Sequence, residues 1–185
     1  MANCPPGVQR IASPAFDVAP LPYPRGMDQK PPRKVREPGE YGYEDASFRT
    51  MGGEEGVRRL VDLFYDAMER RPDAQRIRRM HPSDLQISRD KLWTFLCGWL
   101  GGPKRYADRY GPIRIPHAHA HLDLGEPERD AWLACMQEAV DAMDVPDDFK
   151  AYFMREIRVP AGRSMDMAQA AKAEKEAKRT ERARR

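Results

Sequence analysis

The chain has 185 residues, 41% hydrophobic and 33% charged, with a formal net charge of +3. That length suits one domain with tails, and no apolar run approaches the length of a membrane-spanning helix. Three cysteines (Cys4, Cys97, Cys135) are too few and odd for a disulfide framework, and "MANCPPGVQR" lacks a basic region followed by an apolar run, so a cytoplasmic protein is expected.

Residues 1–40 hold nine of the seventeen prolines, in stretches such as "APLPYPRG" and "KPPRKVREPGE". Such runs continue neither a helix nor a sheet ladder, and residues 1–42 read as an extended, disordered arm. In "EEGVRRLVDLFYDAMERR" the apolar residues Val57, Leu60, Val61, Phe64 and Met68 recur at steps of three and four, one face of a helix. Glu54 and Glu55 fall in its first turn, where the helix dipole favours them. Asp73 is placed to cap a short helix ending near Met80, and "HPSDLQ" then breaks the pattern. Ser88 to Leu100 reads as helix with Leu92, Phe95, Leu96 and Trp99 on one face, stopped by Gly101-Gly102-Pro103.

Lys104 to Gly125 has no clear period and is expected to hold only short helical pieces. Glu126-Pro127 starts a further helix, with Trp132, Met136, Ala139, Val140 and Met143 on its apolar face. Pro146-Asp147-Asp148 starts the last core helix, which carries Phe149, Phe153 and Ile157 and is expected to bend or end at Pro160. The tail "AKAEKEAKRTERARR" reads as a solvated, helix-prone charged run. No strand-period segment of useful length, fixed-period repeat or phosphate-binding glycine motif is present. The charge is uneven: residues 172–185 carry net +4, residues 1–40 net +2 and residues 41–171 net −3. A mildly acidic middle argues against nucleic-acid binding by the folded core.

"IPHAHAHLDLG" holds three of the four histidines, His117, His119 and His121. In a strand all three imidazoles would share a face and could converge on zinc. In a helix His117 and His121 share a face, and His119 stands alone on the other. A lone imidazole on an apolar face is either a core histidine or the single axial ligand of a haem iron.

The stretches "GGEEGVRRLVDLFYDAM", "IRRMHPSDLQISRDKLWTFLCGWLGGPKRYADRYG" and "GEPERDAWLACMQEAV" resemble the group II truncated haemoglobins. The resemblance spans about residues 50–165 and rests on Phe64-Tyr65, His81 to Leu85, Trp99 to Pro103, Tyr110-Gly111, and Glu128-Arg129-Asp130 before Trp132. It implies an all-α fold, the two-over-two helical sandwich around a haem b, with the globin domain at residues 43–166 and a charged, basic tail at 167–185. In this family the iron-binding histidine lies eight residues after the Tyr-Gly glycine and thirteen before the tryptophan, and both spacings give His119. The departures cluster on the proximal side: Ala118 stands where an arginine is usual, His121-Leu122 where Pro-Phe is usual, and Pro112-Ile113 where His-Pro is usual.

The same resemblance implies the pocket. Leu92, Phe95, Leu96 and Met136 would line its slot. Tyr65 and Trp132 would offer a hydroxyl and an indole N–H to the ligand, and His81 a third contact. Ser88 falls at the distal gate, and Tyr106 and Arg114 complete the implied cofactor-binding set. Reversible binding of oxygen and similar diatomic ligands at a five-coordinate iron is the expected function. The alternatives are a haem-dependent redox enzyme, peroxidase-like or nitric oxide-detoxifying, which needs an external reductase, and a non-haem helical adaptor or zinc-binding protein. No membrane partner is expected, and a homodimer is allowed.

Overall fold

The apolar stripe of residues 57–68 becomes the centre of the protein. The computed structural model describes residues 37 and 39–185, and every regular element among them is helical. The expected proline-rich arm lies outside the described residues except for its last few positions. In chain order the helices are α1 (Ala46–Thr50), α2 (Gly53–Arg70), α3 (Gln75–Arg79), α4 (Gln86–Trp99), α5 (Tyr106–Tyr110), α6 (Ile115–His119), α7 (Glu126–Asp141) and α8 (Asp147–Ala183), with a single 3₁₀ turn at Pro72–Ala74. α2 packs on α4 and on α7, and α7 packs on α8. The four long helices therefore form two pairs, joined through the α2–α7 contact, which is the two-over-two sandwich.

Val57, Leu60, Val61, Phe64 and Met68 of α2 are fully buried, as are Leu96 of α4, Met136 and Val140 of α7, and Phe149 and Phe153 of α8. Each such side chain contributes about 1.5–3 kcal/mol relative to exposure. Lys104 to Gly125 contains only α5 and α6, each five residues long, as the absence of period predicts.

The Gly-Gly-Pro stop does more than end α4. Gly102 N–H donates to the Cys97 carbonyl at 2.8 Å and Gly101 N–H to the Gly98 carbonyl at 3.3 Å, the paired bonds of a Schellman turn. Gly101 has φ +99°, and a Cβ there would lie 1.7 Å from the Glu44 carbonyl oxygen. Only glycine permits both the turn and the close passage of residues 44–48, where Phe48 N–H donates to the Leu100 carbonyl at 3.1 Å.

Two local expectations are corrected. Asp73 does not cap a helix: its carboxylate takes two bonds from Arg71, at 3.0 and 2.7 Å, and α3 starts at Gln75 without a side-chain cap. Nor does α8 end at Pro160; it runs unbroken through the proline for 37 residues. An interior proline costs about 3 kcal/mol, and packing on both sides offsets it: Phe153 and Ile157 are buried before it, Ser164 and Ala168 after it, and α6 lies against this helix. Beyond Ala168 the side chains are mostly exposed, as expected for the charged tail, but Lys172 reaches back to the Asp123 carboxylate at 2.8 Å.

Candidate functional site

Pro116 sits in the first turn of α6, where its missing N–H costs nothing. One turn later the His119 ring lies within reach of the backbone it has just left, and Nδ1–H donates to the Ile115 carbonyl at 2.7 Å. A carbonyl only accepts, so Nδ1 carries a hydrogen, and the neutral ring in this tautomer has its lone pair on Nε2. His119 lines a cavity of about 350 Å³, within the size range of cofactor sites. His117 is exposed and off the wall, while His121, just past the helix, is exposed yet part of it. Because the stretch turns as helix, the strand-based convergence on zinc does not form. Among the described residues no three metal-ligating side chains gather anywhere.

The wall facing α2 is aromatic. Tyr65 lines the cavity, and the fully buried Phe64 packs edge-on against its ring at 4.9 Å and against Trp132 at 5.0 Å. Phe64 thus sets the spacing of the two expected donors. Burial drives the Tyr65 phenol up to about 12, against a smaller opposing pull from Arg89 and from the hydrogen-bonded Ser88 hydroxyl. The phenol is therefore neutral and a competent donor at pH 7. Arg89 lies 5.3 Å from the Tyr65 ring centroid and is held by Asp62 at 3.0 Å and Asp66 at 2.8 Å.

Trp132 projects from α7 nearly two turns after its anchored start. Gly125 N–H donates to Glu128 at 2.7 Å, and Arg76 pairs with the buried Glu128 carboxylate at 3.1 Å.

His81 follows α3 directly and repeats the pattern of His119: Nδ1–H donates to the Ile77 carbonyl, four residues back, at 2.8 Å. Its ring meets Tyr65 edge-on at 5.7 Å. Burial lowers its pKa; the Ile77 carbonyl opposes that, and His119 and Arg78 add to it. The imidazole is thus neutral at pH 7 with no hydrogen on Nε2.

Of the implied site residues, the structure brings Tyr65, His81, Ser88, Leu92, Phe95, Tyr106, His119 and Trp132 to one cavity. It leaves three out. Leu96 and Met136 are fully buried, but in the core between the helices rather than in the cavity wall. Arg114 is exposed at the start of α6 and also lies off the wall.

Sequence reasoning missed the wall supplied by α8, from Ile157 through Pro160, Ala161 and Ser164 to Met165. The signal was present: Ile157, Ala161 and Met165 are spaced by fours across the proline. Lys91 and Arg129 were missed as well.

These walls suit a flat, apolar macrocycle with a metal at its centre and acidic groups at its edge. Ile77, Leu92, Phe95 and Leu124 supply apolar surface, His119 Nε2 a strong nitrogen ligand, and the exposed Lys91 and half-buried Arg129 supply cations. A second depression, along the outer face of α2, is walled by Glu54, Arg58, Asp62 and Trp93 and offers no such donor set.

Comparison with known proteins agrees with this geometry. The family described as bacterial-like globin matches residues 46–162. The group 2 truncated haemoglobin YjbI of Bacillus subtilis is 28% identical over 118 residues, which is 64% of this chain and 87% of that protein. Among solved structures, a haemoglobin of Chloroflexus aurantiacus is 34% identical with a TM-score of 0.59, over 64% of this chain and 95% of its own. The group II 2-on-2 haemoglobin of Agrobacterium tumefaciens is 31% identical with a TM-score of 0.61, over 64% and 92%.

Proposed function

The chain belongs to the bacterial-like globin family, a family of haem proteins, and on that premise we propose that it holds its haem through His119 and binds oxygen and similar diatomic ligands reversibly. The observation that carries this reading is the His119 ring, held through Nδ1–H by the Ile115 carbonyl, in the wall of a cavity that Tyr65 and Trp132 also line. Haem supplies the iron at which such ligands bind and leave. Everything else falls to the protein.

His119 is held ready by the Ile115 carbonyl, which fixes both tautomer and ring orientation and raises the basicity of the free nitrogen. Leu92, Phe95, Ile157 and Ala161 keep water from the slot. Lys91 and Arg129 meet the carboxylates at its edge.

On the ligand side, Tyr65 donates its hydroxyl hydrogen, available because burial keeps the phenol protonated. Trp132 donates from Nε1. Each neutral bond contributes about 0.5–1.5 kcal/mol net. Two together slow ligand release by about ten- to a hundredfold. Ser88, hydrogen-bonded to Tyr65, orients the phenol and leaves room for entry beside it.

The test is direct. The protein loaded with haem should show a strong violet absorption band, and its ferrous form should take up and release oxygen. A protein that retains no haem after loading and desalting would refute the reading.

A further inference from the structure

α8 continues well past the last side chain it buries. That residue is Ala168; every side chain from Lys172 onward is exposed, and the helix runs on to Ala183. Residues 172–185 hold seven cations and three carboxylates, and the helix sorts them. At about 100° per residue, Lys172, Lys175, Lys178, Arg179 and Arg182 fall within about 120° of the circumference, and every position on that arc from 172 to 182 is basic. Glu174, Glu176 and Glu181 lie outside it. Lys172 pairs with Asp123 at 2.8 Å and Lys178 with Glu174 at 2.5 Å. Lys175, Arg179 and Arg182, along the middle of the stripe, make no side-chain hydrogen bond or ion pair among the described residues. A cation in the last turn complements the helix dipole, but Lys172 to Arg179 lie before that turn, so the dipole does not account for them.

We propose that this stripe is a docking surface for duplex DNA, which it holds by the phosphate backbone without regard to base sequence. Residues 169–185 contain no aromatic or large apolar side chain. The helix therefore has no face to sink into a lipid bilayer and no anchor of the kind that dominates contacts between proteins. It offers cations on a narrow rod with small side chains around them. The major groove of DNA, about 12 Å wide, admits such a rod, and Lys and Arg reach the phosphates that flank it. Residues 41–171 carry net −3, so a polyanion is repelled from the body and drawn to this helix. The cavity wall on α8 ends at Met165, about two turns before the stripe begins. Ligand binding and docking thus use different stretches of one helix, and the docking does not depend on what the cavity holds.

The experiment titrates a short fluorescent DNA duplex with the full chain and follows anisotropy at several salt concentrations. The wild type should bind unrelated sequences alike, with a Kd of about 1–100 μM at physiological salt, and log K should fall with log salt at a slope of about −4 to −5 for five phosphate contacts. The triple variant Lys175→Gln, Arg179→Gln, Arg182→Gln keeps good helix formers. At unchanged helix content it should bind at least about tenfold more weakly and flatten the slope by about 3. Arg184→Gln removes a cation from the opposite face and should change little. Absence of duplex binding at low salt would overturn the inference. So would a triple variant that binds like the wild type, or an equal loss in Arg184→Gln. Tighter binding to vesicles of anionic phospholipid than to the duplex would overturn it in favour of a membrane surface.

Discussion

Phe64 and Trp132 face each other across the α2–α7 contact, ring centroids 5.0 Å apart, and the same phenyl ring packs against Tyr65 at 4.9 Å. One buried core residue thereby positions both of the donors assigned to the ligand. The core and the pocket are not separate parts of this protein.

Phe64→Ala should therefore act twice. Loss of a fully buried phenyl ring costs about 3–5 kcal/mol of stability. The loosened Tyr65 and Trp132 should also release oxygen faster. Chemical denaturation and stopped-flow dissociation measure the two effects on one sample. Loss of stability with unchanged release would separate the ring from the donors.

Tyr65→Phe removes one polar hydrogen and little bulk, and should raise the oxygen dissociation rate about tenfold, the equivalent of about 1.4 kcal/mol. Trp132→Phe should do the same and also open space. The double variant should fall short of the product of the two, since both donors serve one small ligand. Unchanged release in Tyr65→Phe would remove Tyr65 from the role.

Tyr65 should also resist alkali. Its phenol titrates near 12 in the folded protein against 10.0 for an ordinary tyrosine. The folded state therefore holds a proton that the unfolded state has lost between those values. Stability from this group is complete below pH 10 and falls as pH rises toward 12, by about 2–3 kcal/mol in all. Phenolate absorbance should show late-titrating tyrosines among the seven, Tyr65 with Tyr41 and Tyr110, whose phenols are also raised beside Asp148 and Asp90, and Tyr65→Phe should remove the latest of them. A wild type with no lagging tyrosine would contradict the burial assigned to it.

Continuity of α8 through Pro160 has its own test in Gly162, where an added Cβ meets nothing within 4 Å. In a helix interior Gly162→Ala should stabilise by about 0.5–1 kcal/mol. No gain in the denaturation midpoint would mean that the helix does not run through this segment. Removing residues 173–185, which are exposed and follow the Lys172–Asp123 pair, should leave melting nearly unchanged. Ending the chain before Pro160 takes away the wall formed by Ala161, Ser164 and Met165 and should weaken haem retention sharply.

Where apolar residues recur at helical spacing, fold was legible in the residues themselves. Leu60, Phe64, Val140 and Phe153 were placed in the core by period alone, and they are buried. Of the bend or end expected at Pro160, the end does not occur, because tertiary packing on both sides outweighs the proline's local cost. Which positions of α4 and α7 meet the cavity was legible in part: Leu92, Phe95 and Trp132 line it, while Leu96 and Met136 on the same helices are buried off its wall. In the histidine triplet, spacing left strand and helix open. The structure makes it helical, with His119 on the wall and His117 off it. The ring orientation of His81 was hidden because a bond to a carbonyl four residues back leaves no mark in residue type.

That His119 is the indispensable ligand is tested most directly by the absorption spectra of His117→Ala, His119→Ala and His121→Ala after loading with haem and desalting. His119→Ala should lose the haem band or shift it grossly, while the other two keep a band close to the wild type's. If His121→Ala loses haem and His119→Ala keeps the wild-type spectrum, the iron is not held by His119.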